Sequence, residues 1–195
     1  MERHKIAVIV GSLREESYNR KVARTICAMG DVGLDCHMVE IGDLPLYNQD
    51  YDAAPEQPAQ YVRFRDDIRN SEGVLFVSPE YNRGMPGVLK NAIDAGSRPW
   101  GKSVWNQKAA GIITVSPGAI GGFGSNHQIR QACTFLNMPD MQHPEAYIGN
   151  ISDDDFGEDG LLKDGKTKDF VASIAKAYAD WVQLIKDAHG LLAKR

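Results

Sequence analysis

With 195 residues the chain can bury one substantial core without a second domain, and 43% apolar with 25% charged residues is ordinary globular composition. A formal net charge of -4, with lysine and arginine scattered, offers no basic stripe to nucleic acid. No apolar run is long enough to span a bilayer, and the charged start MERHK leads into a strand pattern rather than a signal peptide, so a cytoplasmic chain with no nucleic-acid and no membrane partner is expected.

Cys27, Cys36 and Cys133 are odd in number, widely spaced and without a CxxC pair. Each reads as a small buried hydrophobe in a reducing compartment rather than as part of a disulfide framework. The histidines form neither HExxH nor a Cys/His cluster of zinc spacing, so no metal site is expected.

An apolar strand over Ile6 to Val10 turns at Gly11 into a loop rich in hydroxyl and amide groups, with Ser12, Arg14, Ser17, Tyr18 and Asn19. A helix follows, its inner face carried by Val22, Ala23 and Ile26. Strand, polar loop and helix N-terminus form a geometry that holds phosphate, since the first helical N–H groups have no internal partner and the dipole favours an anion. A plain strand-to-helix connection with a serine cap is the other reading.

Leu34 to Ile41 reads as a second strand, Gly42 to Gln57 as a long polar connection, and Gln60 to Asn70 as a helix presenting Val62, Phe64 and Ile68. Gly73 to Ser78 (GVLFVS) is a strand covered on both faces, followed at once by PEYNRGMPG. Pro86 opens the next helix, with Val88, Leu89, Ala92 and Ile93 at helical spacing as far as Gly96. Ala109 to Ser116 is another buried strand, ending in the glycine-dense loop that reaches Ser125. A helix over Asn126 to Leu136 follows, with Ile129, Ala132, Cys133 and Leu136 inward, then a weaker strand within Met141 to Ile148 that Pro144 interrupts. The acidic span Ser152 to Asp159 reads as a loop without core residues. The last helix, Thr167 to His189, carries the stripe Phe170, Val171, Ile174, Ala177, Tyr178, Trp181, Ile185 and Ala188.

Strands alternating with crossover helices imply a parallel sheet with helices on both faces, its ligands at the carboxyl ends of the strands. In the strand order 2-1-3-4-5 the ends of the first, third and fourth strands lie side by side, so one cleft collects the three polar loops.

The first loop lacks GxGxxG and lacks GKS or GKT, which leaves Ser12, Arg14, Ser17 and Asn19 to hold a monoester phosphate through side chains and backbone. Viewed alone, Arg14 reads equally well as a surface arginine. Pro79, Glu80, Tyr81 and Asn82 stand beyond a buried strand, where they can meet a flat heteroaromatic. The alternatives are that Glu80 pairs with an arginine, Tyr81 covers the sheet edge and Asn82 caps the following helix. Ser116 to Gly122 has too little side chain for acid–base chemistry and reads as a backbone clamp on a planar ring, or as a permissive turn. No GxSxG elbow and no nucleophile–histidine pair is present, and His127 reads as a helix-start cap or packing residue. No side chain is therefore assigned a catalytic role, and the chemistry is expected to be carried by the ligand itself.

The stretches GSLREESYNR (Gly11 to Arg20), SPEYNRGMPGVLKNAID (Ser78 to Asp94) and VSPGAIGGFGS (Val115 to Ser125) resemble the NADPH-dependent FMN reductase family, a flavodoxin-like group of quinone, chromate and azo-dye reductases. The resemblance runs from about Lys5 to Ile148. It implies an α/β flavodoxin-like three-layer sandwich with a five-stranded parallel sheet, and residues 1–195 read as a single such domain. It also implies that Ser12, Arg14, Ser17 and Asn19 hold the FMN phosphate. Pro79, Glu80, Tyr81 and Asn82 then meet the isoalloxazine and ribityl chain, with Ser116 and Gly118 on the opposite side. The implied activity is ping-pong hydride transfer from NADPH or NADH to quinones or similar electrophiles, in a homodimer or homotetramer whose contact includes Pro86 to Asp94. Ala95 departs from the aromatic that many relatives carry there. Two variants stay open: an FMN reductase that supplies free reduced flavin, and a flavodoxin-like electron-transfer module.

Overall fold

All six residues of β3 (Gly73–Ser78) and all seven of β4 (Ala109–Val115) are buried, so both faces of the sheet centre need cover. The computed structural model describes residues 3–53, 55 and 57–193. Met1 and Glu2 of the charged start, and Ala54 and Glu56 of the long connection, lie outside the described residues. With β1 (His4–Val10), β2 (Leu34–Val39) and β5 (Ala146–Ile148), the central strands make a five-stranded parallel sheet in the order β2-β1-β3-β4-β5. This is the flavodoxin-like order.

Alternation along β1 divides its side chains between two cores. Ile6, Val8 and Val10 face α1 (Tyr18–Ala28) and α6 (Lys166–Leu192), while Ala7 and Ile9 face α3 (Ala59–Arg69), α4 (Gly87–Gly96) and α5 (Phe123–Phe135). Helix, sheet and helix are the three layers. Register aligns the strand ends: Val10 pairs with Val77, Val77 with Ile113, and Ser78 with Thr114, so β1, β3 and β4 finish at one level.

Several local expectations change. The long connection contains one helical turn, α2 (Asp50–Ala53). Val62 points outward, and Tyr61 joins Phe64 and Ile68 in the core instead, because the α3 stripe is rotated by one residue. Helix α5 starts at Phe123, three residues earlier than the glycines imply, and β5 is confined to the three residues Ala146–Ile148, beyond Pro144. Phe170 is exposed, whereas Ala175, Ala179 and Val182 are buried on α6. The acidic span is not empty of core. Ser152 and Asp155 form a capping box on a 3₁₀ turn, and Phe156 and Leu162 are buried against α1. Among the described residues, no helix is long and apolar enough to cross a membrane, and no group of three or more His, Cys, Asp or Glu side chains stands together to hold a metal ion.

Candidate functional site

The Gly11 N–H donates to the Val77 carbonyl at 2.9 Å, and a Cβ on Gly11 would stand 2.6 Å from Ser78 Oγ. Glycine thus lets the first loop leave β1 hard against β3. Beyond it Ser12, Ser17 and Asn19 are buried, while Leu13 to Glu16 face solvent. Ser17 occupies the N-cap of α1 but makes no side-chain cap bond, and neither its hydroxyl nor that of Ser12 has a hydrogen-bond partner among the described residues. The helical ladder starts with Lys21 N–H to the Ser17 carbonyl at 2.9 Å, which leaves the N–H groups of Tyr18, Asn19 and Arg20 without an acceptor in the helix. No acidic residue sits in that first turn. Uncapped donors at the positive end of a helix make an anion site. Arg14 lies exposed beside it, its Nη2 donating to the Glu16 carbonyl at 3.1 Å.

Asn19 acts across the cleft rather than only toward it. Its Nδ2 donates to the Val115 carbonyl at 3.3 Å, joining α1 to the end of β4, and its Oδ1 is a buried acceptor with no partner, as is the Arg20 Nε donor. Tyr18 stacks on Phe156 with ring centroids 5.6 Å apart and planes within 4°. Burial first, and then the Asp153 carboxylate, raises the Tyr18 phenol above its ordinary pKa.

The second loop closes on itself. Asn82 and Arg83 both adopt left-handed backbone, φ 52° and 67°, and the Tyr81 and Gly84 amides exchange hydrogen bonds of 2.9 and 3.0 Å. That is the pattern of a two-residue hairpin turn with φ positive at both central positions. Asn82 consequently does not cap α4, whose N-cap is Pro86. Tyr81 is 49% exposed at the rim, and Pro79 is half-buried. Glu80 turns inward: its Oε2 accepts the Ser125 N–H at 3.1 Å, and its Oε1 stands 3.5 Å from Arg83 Nη1. The arginine pairing is the alternative anticipated from sequence. The grip on the first turn of α5 is not, because no local spacing links Glu80 to Ser125.

In the third loop Ser116 Oγ accepts the Gly118 N–H at 3.1 Å, and the Ser116 N–H donates to the Ile148 carbonyl at 2.9 Å. Gly118 is exposed, and a Cβ on it would meet only Ser116 Oγ, at 3.4 Å. Behind this loop Asn126 donates to Thr114 Oγ1 at 3.5 Å and accepts from Arg130 Nε at 2.9 Å, and Arg130 pairs with Asp140 at 2.6 Å. Beside it exposed Phe123 and His127 cluster with the half-buried Tyr147, whose Oη lies 3.2 Å from His127 Nε2 and donates to Glu145 Oε1 at 2.8 Å. His127 lies in the second turn of α5 and caps nothing. The i, i+4 spacing of Phe123 and His127 is the sequence signal for that cluster.

The three loops therefore meet through Gly11 on Ser78, Asn19 on Val115, and Glu80 on Ser125. All ten residues singled out in the sequence lie on those loops or the first turn of α1.

Comparison with known proteins supplies the family. The family model described as NADPH-dependent FMN reductase matches residues 4–153. A quinone reductase of Pseudomonas putida is 55% identical over 182 residues, covering 93% of this chain and 96% of that protein. A 2-hydroxy-1,4-benzoquinone reductase of a Burkholderia species is 41% identical over 179 residues, covering 92% of this chain and 96% of that protein. Among solved structures, FerB, a flavoenzyme NAD(P)H:(acceptor) oxidoreductase from Paracoccus denitrificans, aligns with a TM-score of 0.85 at 37% identity, covering 92% of this chain and 97% of that one. A family model that matches most of the chain, with relatives this similar along nearly their whole length, makes the protein a flavin-dependent oxidoreductase that works with FMN and NAD(P)H. The chain belongs to the NADPH-dependent FMN reductase family.

Proposed function

We propose that the three loops hold FMN and that the enzyme reduces quinone-like acceptors with NAD(P)H by ping-pong hydride transfer on one open face. The observation that carries this reading is the alignment of the β1, β3 and β4 ends, with uncapped donors at α1 on one side and an open glycine loop on the other. The residues fit the coenzyme. Two partnerless hydroxyls, three free N–H groups and the Arg14 guanidinium match a phosphate dianion. The half-exposed Tyr81 and the open Gly118 leave both loops accessible to a flat ring.

FMN, once bound, would supply the hydride chemistry between nicotinamide and acceptor. The protein's part is orientation. Ser12, Arg14, Ser17 and the α1 N-terminus fix the phosphate, while Asn19 holds that helix against β4. Pro79, Glu80, Tyr81 and Asn82 shape the second loop, and Ser116 and Gly118 wall the third. Glu80 does so through α5, with its carboxylate turned away from the rim. The acceptor takes its proton from solvent or from a nearby hydroxyl.

Residues 1–195 work as one flavodoxin-like domain in a cytoplasmic homodimer or homotetramer. Supporting the assembly, Trp100 and Phe135 are each 80% exposed beside α4, where two adjoining cavities of about 660 and 700 Å³ share Asp94, Ser97, Phe135 and Leu136.

The deciding experiment is anaerobic stopped-flow mixing of the FMN-loaded protein with NADPH and NADH, then with a panel of quinones. Bleaching of the flavin band followed by fast quinone-dependent recovery is expected. A protein that neither retains added FMN nor transfers electrons from either nucleotide overturns the reading. Saturation of turnover by added FMN marks the shuttle form instead, and reduction only by a protein donor marks an electron carrier.

A further inference from the structure

Two serines behind the second loop have no part in the function described so far. Ser78 closes β3 and Ser125 lies in the first turn of α5, and both are fully buried. Alternation along β3 places Val74 and Phe76 in the core beneath α3, α4 and α5, so the Ser78 side chain faces that layer too. Its Oγ donates to the Pro79 carbonyl at 2.9 Å and lies 3.4 Å from Ser125 Oγ. A hydroxyl has one proton to donate, and that of Ser78 goes to Pro79, so Ser125 is the donor to Ser78. Gly11 confines the pair, since a Cβ there would stand 2.6 Å from Ser78 Oγ. The Pro79–Glu80 peptide is trans, so a carbonyl held toward α5 turns the Glu80 N–H the opposite way, to the side of the sheet on which α1 stands. That N–H has no acceptor among the described residues, whereas the Tyr81 N–H is taken by the Gly84 carbonyl at 2.9 Å.

We infer that Ser78 and Ser125 are positioning residues for the flavin: their two-hydroxyl relay fixes the Pro79–Glu80 peptide so that the Glu80 N–H donates to the flavin ring. This rests on the reading that the second loop meets that ring. Being fully buried, neither hydroxyl reaches the coenzyme, and each acts through the peptide that it orients. A donor held in place binds the ring more tightly once reduction has put negative charge on it. The relay therefore raises the reduction potential of bound FMN, and does so without a charged side chain. Ser125 is the outer member and acts only by way of Ser78, so its share is the smaller.

The test measures the midpoint potential of FMN bound to the parent, Ser78→Ala, Ser125→Ala and the double variant by anaerobic dye equilibration, with oxidised FMN affinity from fluorescence titration. Ser78→Ala should lower the affinity ratio of reduced over oxidised FMN about tenfold, a fall of about 30 mV for two electrons, with oxidised FMN binding changed by less than about twofold. Ser125→Ala should move the potential the same way and less, and the double variant should match Ser78→Ala. An unmoved potential, an equal loss of affinity for both forms of FMN, or additive shifts in the double variant overturn the inference. Should Ser78→Ala fail to fold, Ser125→Ala decides alone: a lowered potential supports the relay and a parental one overturns it. A parent that holds no FMN overturns this inference together with the reading beneath it, whereas variants at the parental potential overturn the relay alone.

Discussion

Asn19 Nδ2 reaches the Val115 carbonyl at 3.3 Å, binding the first turn of α1 to the last residue of β4, 96 positions later in the chain. One amide therefore fixes the spacing between two walls of the cleft. Asn19→Ala removes this bond and leaves a buried carbonyl unpaired, which costs about 1–3 kcal/mol. Urea unfolding should show that loss, together with weaker FMN retention. Unchanged stability would mean that the bond is incidental.

Ser17→Ala separates capping from ligand binding. Replacing a serine that caps a helix costs about 1 kcal/mol, but Ser17 makes no cap bond here. Stability should move by less than about 0.5 kcal/mol, while the FMN dissociation constant rises. A clear drop in melting temperature with FMN affinity untouched would instead make Ser17 a structural cap with no hold on the phosphate.

Arg14→Ala should weaken FMN binding more than it alters acceptor preference. A hydrogen bond to a charged group contributes about 1.5–3 kcal/mol, or roughly ten- to a hundredfold in affinity, and an exposed guanidinium belongs at the low end. Fluorescence titration at two salt concentrations measures it. Equal dissociation constants for variant and parent would falsify the assignment.

Gly124→Ala should loosen the junction of the second and third loops. A Cβ there stands 2.5 Å from the Arg83 carbonyl oxygen and 2.9 Å from Glu80 Oε2. Backbone cannot give way as a flexible side chain can, so a cost of about 1–3 kcal/mol is expected. A crystal structure of the variant with the Glu80–Ser125 bond unmoved would show that the clash is absorbed elsewhere.

Alkaline stability should carry the mark of Tyr147. Burial, then its hydrogen bond to Glu145, pushes the phenol from 10.0 up to about 12. The unfolded chain then loses this proton first, so the contribution is whole below pH 10.0 and disappears as the pH climbs toward about 12. Tyr147→Phe should flatten that part of the stability profile in urea titrations. A slope identical to the parent's would assign it to other groups.

Local pattern carried most of the architecture. GVLFVS and AAGIITV are buried along their whole length, and unbroken apolar runs of that size, bounded by turns, suit central strands. The three loops that carry the ten candidate residues were legible because polar loops directly after such strands are few. What local pattern could not show was where side chains travel. Glu80 reaches α5 across 45 positions, and Asn82 and Arg83 adopt left-handed backbone without a glycine at either position. Phe156 stayed hidden for a related reason: a lone aromatic among acids looks solvated until α1 supplies the surface that covers it.

The family match stops at residue 153, yet Phe156 and Leu162, just past that limit, lie on α1, and Leu162 N–H donates to Thr25 Oγ1 at 3.0 Å. The helix whose first turn carries the uncapped N–H donors is thus buttressed by a segment that lies outside the family match. Substitutions at Phe156 or Leu162 would therefore reach the proposed coenzyme site through the seating of its helix, from a distance.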